Sequence, residues 1–149
     1  MEVKKILCAV DLEDTIAPSV EYAKMMASMT GASILVAYVI PAHTPYEDVY
    51  LSVNNQPNEV NNPNETIQKS MTALLAEQFA GMDATGVILV GRPSEELVKL
   101  AEEKGANLIV MGTHGRAGFD RLLFGSVAHE VVRAAPCPVM TVRPLMPKK

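Results

Sequence analysis

The sequence predicts an α/β protein built on an open, doubly wound parallel sheet of five strands, with helices on both faces. Five short apolar runs alternate strictly with four longer segments of helical periodicity, which is typical of βαβ units with right-handed crossovers. The runs are apolar on both faces, as strands of a parallel sheet covered by helices on each side must be. Five strands are too few for an eight-stranded barrel, so an open Rossmann-like sheet remains.

Each predicted strand is a short run of mostly apolar residues. A strand buried on both faces needs such a run, because neither of its faces contacts water. In chain order the five runs are Lys5–Asp11, Ser33–Ile40, Gly86–Gly91, Asn107–Gly112 and Val139–Val142.

The first two helices are predicted from the spacing of apolar residues between these strands. The segment from Ile16 to Ala27 has apolar side chains along one face, and Gly31 is a suitable stop for it. The second helix starts at Pro63, whose missing N–H is not needed in a first turn. Its apolar positions continue as far as Phe79, and Gly81 ends it.

The other two helices follow the third and fourth strands. The segment Pro93–Lys104 has acidic residues in its first turn, where the helix dipole favours them, and Gly105 follows as its C-terminal cap. The fourth helix is predicted from near Gly125 to Ala135, because Pro136 prevents its continuation.

Length and composition favour one domain over residues 1–149. The chain has 149 residues, of which 48% are hydrophobic and 20% are charged, as in an ordinary globular domain. Residues 41–62 form an irregular insert, because Pro41, Pro45 and Pro57 stand among asparagines without any period. Loops of this length are often functional. The insert is therefore either an excursion without chemistry or a lid or partner contact.

Charge and hydropathy exclude several classes of function. The 13 Lys and Arg against 17 Asp and Glu give a net charge of −4, which does not suit a protein that binds nucleic acid. The longest apolar run, Ile34–Ile40, is far shorter than the ~20 residues of a membrane span, and no signal peptide is recognisable. We therefore expect a cytoplasmic protein in which Cys8 and Cys137 are reduced and mostly buried.

The candidate ligand site lies beyond the carboxyl ends of the strands, where the strand order of an open α/β sheet reverses. Asp11 ends the first strand there, and Gly112 and Gly115 follow the fourth. Gly125 and Ser126, at the predicted helix start, can offer backbone N–H groups and a hydroxyl to a phosphate. The alternative is that the glycines serve only turns, that Ser126 caps its helix and that Asp11 caps the first one.

The spacing of these residues matches a known motif. The pattern Gly112-x2-Gly115-x9-Gly125-Ser126 resembles the G-x2-G-x9-G-(S/T) motif of the nucleotide-binding branch of the universal stress protein family. The segments KKILCAVD, NLIVMGTHGRAG and APCPVMTVRP also resemble that family, in order along the chain.

This resemblance implies a homodimer that binds ATP, or AMP or ADP, in stress response or signalling. It also implies the strand order 3-2-1-4-5. Mg²⁺ or Mn²⁺ often accompanies the phosphates in this family, with Ser126 as its candidate contact. Two copies would pair antiparallel through the edge strand formed by Val139, Met140, Thr141 and Val142.

The resemblance also assigns ligand contacts along the nucleotide. Asp11 would hold the ribose hydroxyls, and the backbone of Val39 would meet the adenine edge, although its side chain is expected in the core. Met111, Gly112 and Gly115 would flank the ribose and phosphates, and Gly125, Ser126 and Val127 would hold the phosphate chain. Arg116 joins the candidates independently of the resemblance, as a positive charge in the loop before the fourth helix. The full set is Ala9, Asp11, Val39, Met111, Gly112, Gly115, Arg116, Gly125, Ser126 and Val127.

Some residues depart from the family pattern or give only weak signals. Leu12 and Glu13 follow Asp11 where a Gly-Ser pair is common, and Asn107 stands where aspartate is usual. The histidines lack a third ligand at metal-binding spacing.

Three functions remain open from the sequence. The first is a nucleotide-occupied signalling module, and the second is a slow metal-dependent ATPase or nucleotidyl-handling enzyme that uses the same pocket. No catalytic residue is predicted, because the sequence has no Walker loop, no nucleophile elbow and no group placed to orient water at the γ-phosphate. The third is a redox adaptor that uses Cys8 and Cys137.

Overall fold

The computed structural model describes residues 2–12, 17–41, 63–113 and 121–143. Strands and helices alternate along these ranges as the sequence predicts, whereas the insert beyond Pro41 lies outside them. In chain order the elements are β1 (Lys5–Ala9), α1 (Pro18–Thr30), β2 (Ser33–Pro41), α2 (Pro63–Gln78), β3 (Ala84–Gly91), α3 (Pro93–Lys104), β4 (Leu108–Gly112), α4 (Arg121–Ala134) and β5 (Val139–Val142).

The five strands form one parallel sheet in the order β3-β2-β1-β4-β5, which confirms the predicted topology. The first strand of the chain is therefore the central one. Its Ile6 pairs with Ile34 of β2 on one side and with Leu108 of β4 on the other. The strand order reverses between β1 and β4.

Two helices cover each face of the sheet. Ile6 and Cys8 belong to the apolar cluster under α1 and α2, whereas Leu7 and Ala9 belong to the cluster under α3 and α4. Ile6, Leu7 and Cys8 are completely buried. Burial of β1 on both faces is what its continuous apolar run predicts.

Glycines end two of the helices and allow close packing within one strand. Gly31 and Gly105 end α1 and α3 with φ of 76° and 67°, in the left-handed region that the predicted caps require. Gly86 in β3 instead allows close packing, because a Cβ there would lie 2.6 Å from Cγ of Met71 on α2.

The largest error in the predicted elements concerns the start of α4. This helix begins at Arg121, four residues before the predicted start near Gly125. Arginine, leucine and phenylalanine fill positions 121–124 without proline or glycine, so nothing in this stretch prevents a helical turn. β1 also ends two residues earlier than predicted, at Ala9 rather than at Asp11.

Asn107 joins the two central strands at their amino ends. Its Oδ1 accepts hydrogen bonds from the backbone N–H groups of Lys4 and Lys5, at 2.8 and 2.9 Å. Its own N–H donates to the carbonyl of Lys5 at 2.8 Å. The side chain thus fixes the start of β4 against β1.

Among the helices in the described ranges, none combines the length and the apolar character that crossing a membrane requires.

Candidate functional site

The carboxyl end of the sheet contains a notch, because β1 stops before both of its neighbours. Ala9, the last residue of β1, pairs with Ala37, and β2 continues for four further residues to Pro41. At about 3.3 Å per residue, β2 extends roughly 13 Å beyond the end of β1. The β1 notch, as we call this gap between β2 and β4, coincides with the reversal of strand order, where open α/β sheets bind ligands.

Val39 presents its backbone to the β1 notch from the side of β2. The carbonyl of Ala37 accepts a hydrogen bond from the N–H of Val10 at 2.9 Å, so the backbone groups of Ala37 point toward β1. Backbone groups alternate in direction along a strand, and those of Val39 therefore point the same way, two residues beyond the end of β1. The side chain of Val39 is only 9% exposed and packs in the core, as predicted.

Gly112 presents its backbone to the β1 notch from the side of β4. The N–H groups of Ile109 and Thr113 donate to the carbonyls of Pro138 and Val142 on β5, at 3.0 and 3.1 Å. Odd-numbered residues of β4 therefore point toward β5, and Gly112 points toward β1. Having no Cβ, Gly112 lets another molecule approach its backbone closely.

The structure separates the other predicted residues of this region into three groups. Asp11 lies half-buried just past the end of β1. It does not cap α1, because Ala17 occupies that cap position, and the capping alternative is therefore wrong for this helix. Ala9 at the end of β1 and Met111 near the end of β4 are buried in the core. Gly115 and Arg116 lie outside the described residues.

The early start of α4 changes the chemistry available at Gly125 and Ser126. In an α-helix each N–H bonds to the carbonyl four residues earlier, so the N–H of Gly125 is matched with Arg121. The amides without a partner inside the helix belong to its first turn instead. The prediction that Gly125 and Ser126 offer free N–H groups is therefore wrong for this helix. Ser126 keeps an exposed side chain, and Val127 packs against the core.

A polar network holds α4 against the start of α3. The hydroxyl of Ser94, 5% exposed, donates to Oε2 of Glu130, and Nη2 of Arg92 lies 3.2 Å from Oε1 of the same carboxylate. The hydrogen bond from Ser94 and the charge of Arg92 lower the pKa of Glu130, although partial desolvation opposes them. Ser126 lies one turn before Glu130 on the same side of α4, about 6 Å along the helix axis.

A surface cavity of about 370 Å³ lies beside this network, between α3 and α4. Among the predicted ligand residues that the structure describes, none lines this cavity. The lining residues are Ser94, Glu95, Val98, Lys99, Glu102, Glu130 and Ala134.

The two thiols do not form a redox pair. Cys8 and Cys137 are both free, and they belong to apolar clusters on opposite faces of the sheet. Complete burial raises the pKa of Cys8 to about 12, and partial burial raises that of Cys137. Burial therefore favours the protonated thiol at both positions. Within the ranges that the structure describes, no three histidine, cysteine or acidic residues cluster as metal ligands.

Known proteins resemble this chain in both sequence and fold. The family model described as the universal stress protein family matches residues 2–143. Universal stress protein MJ0531 of Methanocaldococcus jannaschii is 33% identical over 150 residues, which are 98% of this chain and 84% of that protein.

Two solved structures extend the comparison. The structure of MJ0577, from the same organism, has a TM-score of 0.75 and 26% identity, and the match covers 99% of this chain and 100% of that one. A universal stress protein from Archaeoglobus fulgidus, solved in complex with dAMP, has a TM-score of 0.56 and 25% identity, with 95% and 98% of the two chains covered.

Proposed function

This chain belongs to the universal stress protein family, and from that premise we propose that it binds an adenine nucleotide, ATP in particular, at the β1 notch. The observation that carries the proposal is the early end of β1, which leaves the backbones of Val39 and Gly112 facing the same gap. Asp11 follows two residues after the end of β1 and so lies at this gap. The dAMP bound to the Archaeoglobus fulgidus relative supports an adenine nucleotide as the ligand class.

The base and the ribose occupy the β1 notch in this proposal. The N–H and C=O of Val39 form hydrogen bonds with the adenine edge, which carries both donors and acceptors. The carboxylate of Asp11 accepts hydrogen bonds from the ribose hydroxyls, and Ala9 forms the apolar floor beneath the base. Such charged acceptors give hydrogen bonds about twice as strong as neutral ones.

The phosphates extend from the β1 notch past Gly112 toward α4. Gly112 and Gly115 allow the chain to pass close to the backbone, Arg116 supplies a positive charge, and the exposed hydroxyl of Ser126 contacts the terminal phosphates. The remaining proposed contacts, Met111, Gly125 and Val127, support these from beneath or beside them. Mg²⁺ is usually bound by one or two protein ligands together with substrate phosphates, so Mg²⁺ or Mn²⁺ would be held chiefly by phosphate oxygens, with Ser126 beside it.

The cellular form of the proposal is a single-domain protein that acts as a homodimer in the cytoplasm, where nucleotide occupancy controls binding to a client. The exposed edge of β5 supports the dimer, because an edge strand presents unpaired backbone groups to another chain.

The proposal is tested by calorimetric titration of the purified protein with ATP, ADP and AMP, after mass spectrometry of any nucleotide carried through purification. We expect Asp11→Asn to weaken ATP binding at least tenfold, because the amide loses the charge that strengthens the ribose contacts. Asp83→Asn is the matched control, since this exposed residue precedes β3 at the opposite end of the sheet. Absence of binding at millimolar ATP contradicts the proposal.

The same preparations distinguish binding from turnover. Occupancy without phosphate release supports the signalling module. Metal-dependent phosphate release over hours that is lost in Ser126→Ala would identify a slow ATPase in the same pocket.

A further inference from the structure

The start of α4 projects past the start of α3 at the carboxyl edge of the sheet. Both helices follow parallel strands and therefore run in the same direction, away from that edge. Ser94 is the second residue of α3, and it bonds to Glu130, the tenth residue of α4. Eight more residues therefore precede the contact in α4 than in α3, and at 1.5 Å per residue α4 begins roughly 12 Å beyond the start of α3. We call residues 121–126 of this projecting part the α4 overhang.

The α4 overhang carries Ser126 on the side of the helix that is nearest the β1 notch. α3 contacts β2 and β3, whereas α4 contacts β4 and β5, so β1 lies between the two helices. The side of α4 that faces α3 therefore also faces β1, and Glu130 marks this side because it bonds to Ser94. Ser126 lies one turn before Glu130 and only about 40° around the helix from it, with an exposed side chain.

The carboxylate of Glu130 is held at both of its oxygens by the start of α3. The hydroxyl of the buried Ser94 donates to Oε2, and Nη2 of Arg92 lies 3.2 Å from Oε1. Arg92 is itself the N-cap residue of α3, and its Nη1 lies 3.6 Å from Oε1 of Glu95. Two partners on two oxygens restrict the orientation of a carboxylate as well as its position. We call Arg92, Ser94 and Glu130 the α3–α4 clasp.

The α3–α4 clasp supplies a directional contact that the apolar contacts of α4 do not. Ala128 and Val131 are buried in the core and keep α4 on the sheet, but apolar burial has no preferred direction. Hydrogen bonds depend on angle as well as distance, so they resist tilting and sliding of the helix. A tilt of about 10° about Glu130 would move Ser126, some 6 Å away, by roughly 1 Å. Side chains of a binding site must be held to within about 0.5 Å.

We propose that the α3–α4 clasp positions the phosphate end of the nucleotide site, so that Ser94 and Arg92, acting through Glu130, hold Ser126 where it contacts the terminal phosphates. This inference rests on the proposed nucleotide site and assigns to it residues that do not touch the ligand. AMP has no β- or γ-phosphate to reach Ser126. The α3–α4 clasp therefore strengthens the binding of ATP and leaves the binding of AMP unchanged, which makes it a determinant of preference for the triphosphate.

The test compares the dissociation constants for ATP and AMP, measured by calorimetric titration of the full chain. Ser94→Ala removes the hydroxyl of the clasp, and we expect it to raise the constant for ATP roughly fivefold without changing that for AMP. Glu102→Gln is the matched control, because it removes a carboxylate from the same cavity two turns farther along α3 and should change neither constant. Circular dichroism spectra identical to the wild type verify that each variant is folded.

A double-mutant cycle shows whether the clasp acts through Ser126. Ser126→Ala alone should weaken ATP binding, and the addition of Ser94→Ala should then have no further effect on the constant for ATP. A purely structural role of Ser94 would weaken the binding of ATP and AMP alike, and its effect would add to that of Ser126→Ala. Either of these two results overturns the inference.

The remaining outcomes separate the clasp from the nucleotide site itself. If the wild type binds ATP and either Ser94→Ala or Ser126→Ala leaves the constant for ATP unchanged, the positioning role is overturned and nucleotide binding stands. A wild-type chain that binds neither ATP nor AMP contradicts the proposed function and the role of the clasp together.

Discussion

The position of Gly125 predicts that one substitution will have opposite effects on folding and on ligand binding. Gly125 is the fifth residue of α4 and lies inside the helix, where glycine is less favourable than alanine by about 0.5–1 kcal/mol. For a domain of this size, 1 kcal/mol corresponds to about 2–4 °C in melting temperature. Gly125→Ala should therefore raise the melting temperature of the ligand-free protein by about 1–4 °C.

The same methyl group should weaken nucleotide binding. If the phosphates pass close to Gly125, a Cβ occupies part of their space, and we expect the dissociation constant for ATP to rise at least tenfold, or about 1.4 kcal/mol. Calorimetric titration with ATP measures this change. Higher stability together with weaker ATP binding would support the proposal that Gly125 is retained for the ligand.

Gly31→Ala is a matched control with the opposite effect on stability. Gly31 ends α1 with φ of 76°, so alanine there should lower the melting temperature and leave ATP binding unchanged. A lower melting temperature for Gly125→Ala would mean that α4 does not begin at Arg121. A higher melting temperature with unaltered ATP affinity would remove Gly125 from the ligand site.

Three further predictions concern stability and reactivity. Gly86→Ala should destabilise the protein by about 1–3 kcal/mol in urea unfolding, because the added Cβ overlaps a side chain of α2. Since the hydrogen bond from Ser94 lowers the pKa of Glu130, the carboxylate stabilises the fold at neutral pH and loses this effect as the pH falls through the lowered value. Glu130→Gln should therefore lower the melting temperature at pH 7, and the difference should shrink in acid. Ellman's reagent should modify Cys137 in the folded protein and Cys8 only after unfolding, because burial raises the pKa of Cys8 to about 12.

Most of the fold was predictable because each strand is buried on both faces. Residues such as Ile6, Leu7 and Cys8 must all be apolar when neither face of β1 meets water, and this continuous run distinguishes the strand from the amphipathic helices around it. The caps at Gly31 and Gly105 were predictable for a similar reason, because few other residues adopt a positive φ.

The features that the sequence did not predict depend on contacts between distant residues. The bonds from Asn107 to Lys4 and Lys5, and from Ser94 to Glu130, join residues far apart in the chain, and no local pattern announces them. The motif glycine at position 125 suggests a helix start, but the residues before it are able to form a turn, so α4 begins earlier than the sequence predicts. Binding of a nucleotide by the motif residues remains a prediction.

The central position of β1 has a consequence for synthesis of the protein. β1 leaves the ribosome before the other described elements, yet the bonds of Lys4 and Lys5 at its start to Asn107 span 103 and 102 residues of sequence. At 5–20 residues per second, about 5–20 s pass before β4 is translated. During that interval the edge of β1 that will pair with β4 has no partner strand, and β1 is apolar on both faces. We therefore expect a chaperone that binds β1 to be most useful before β4 emerges.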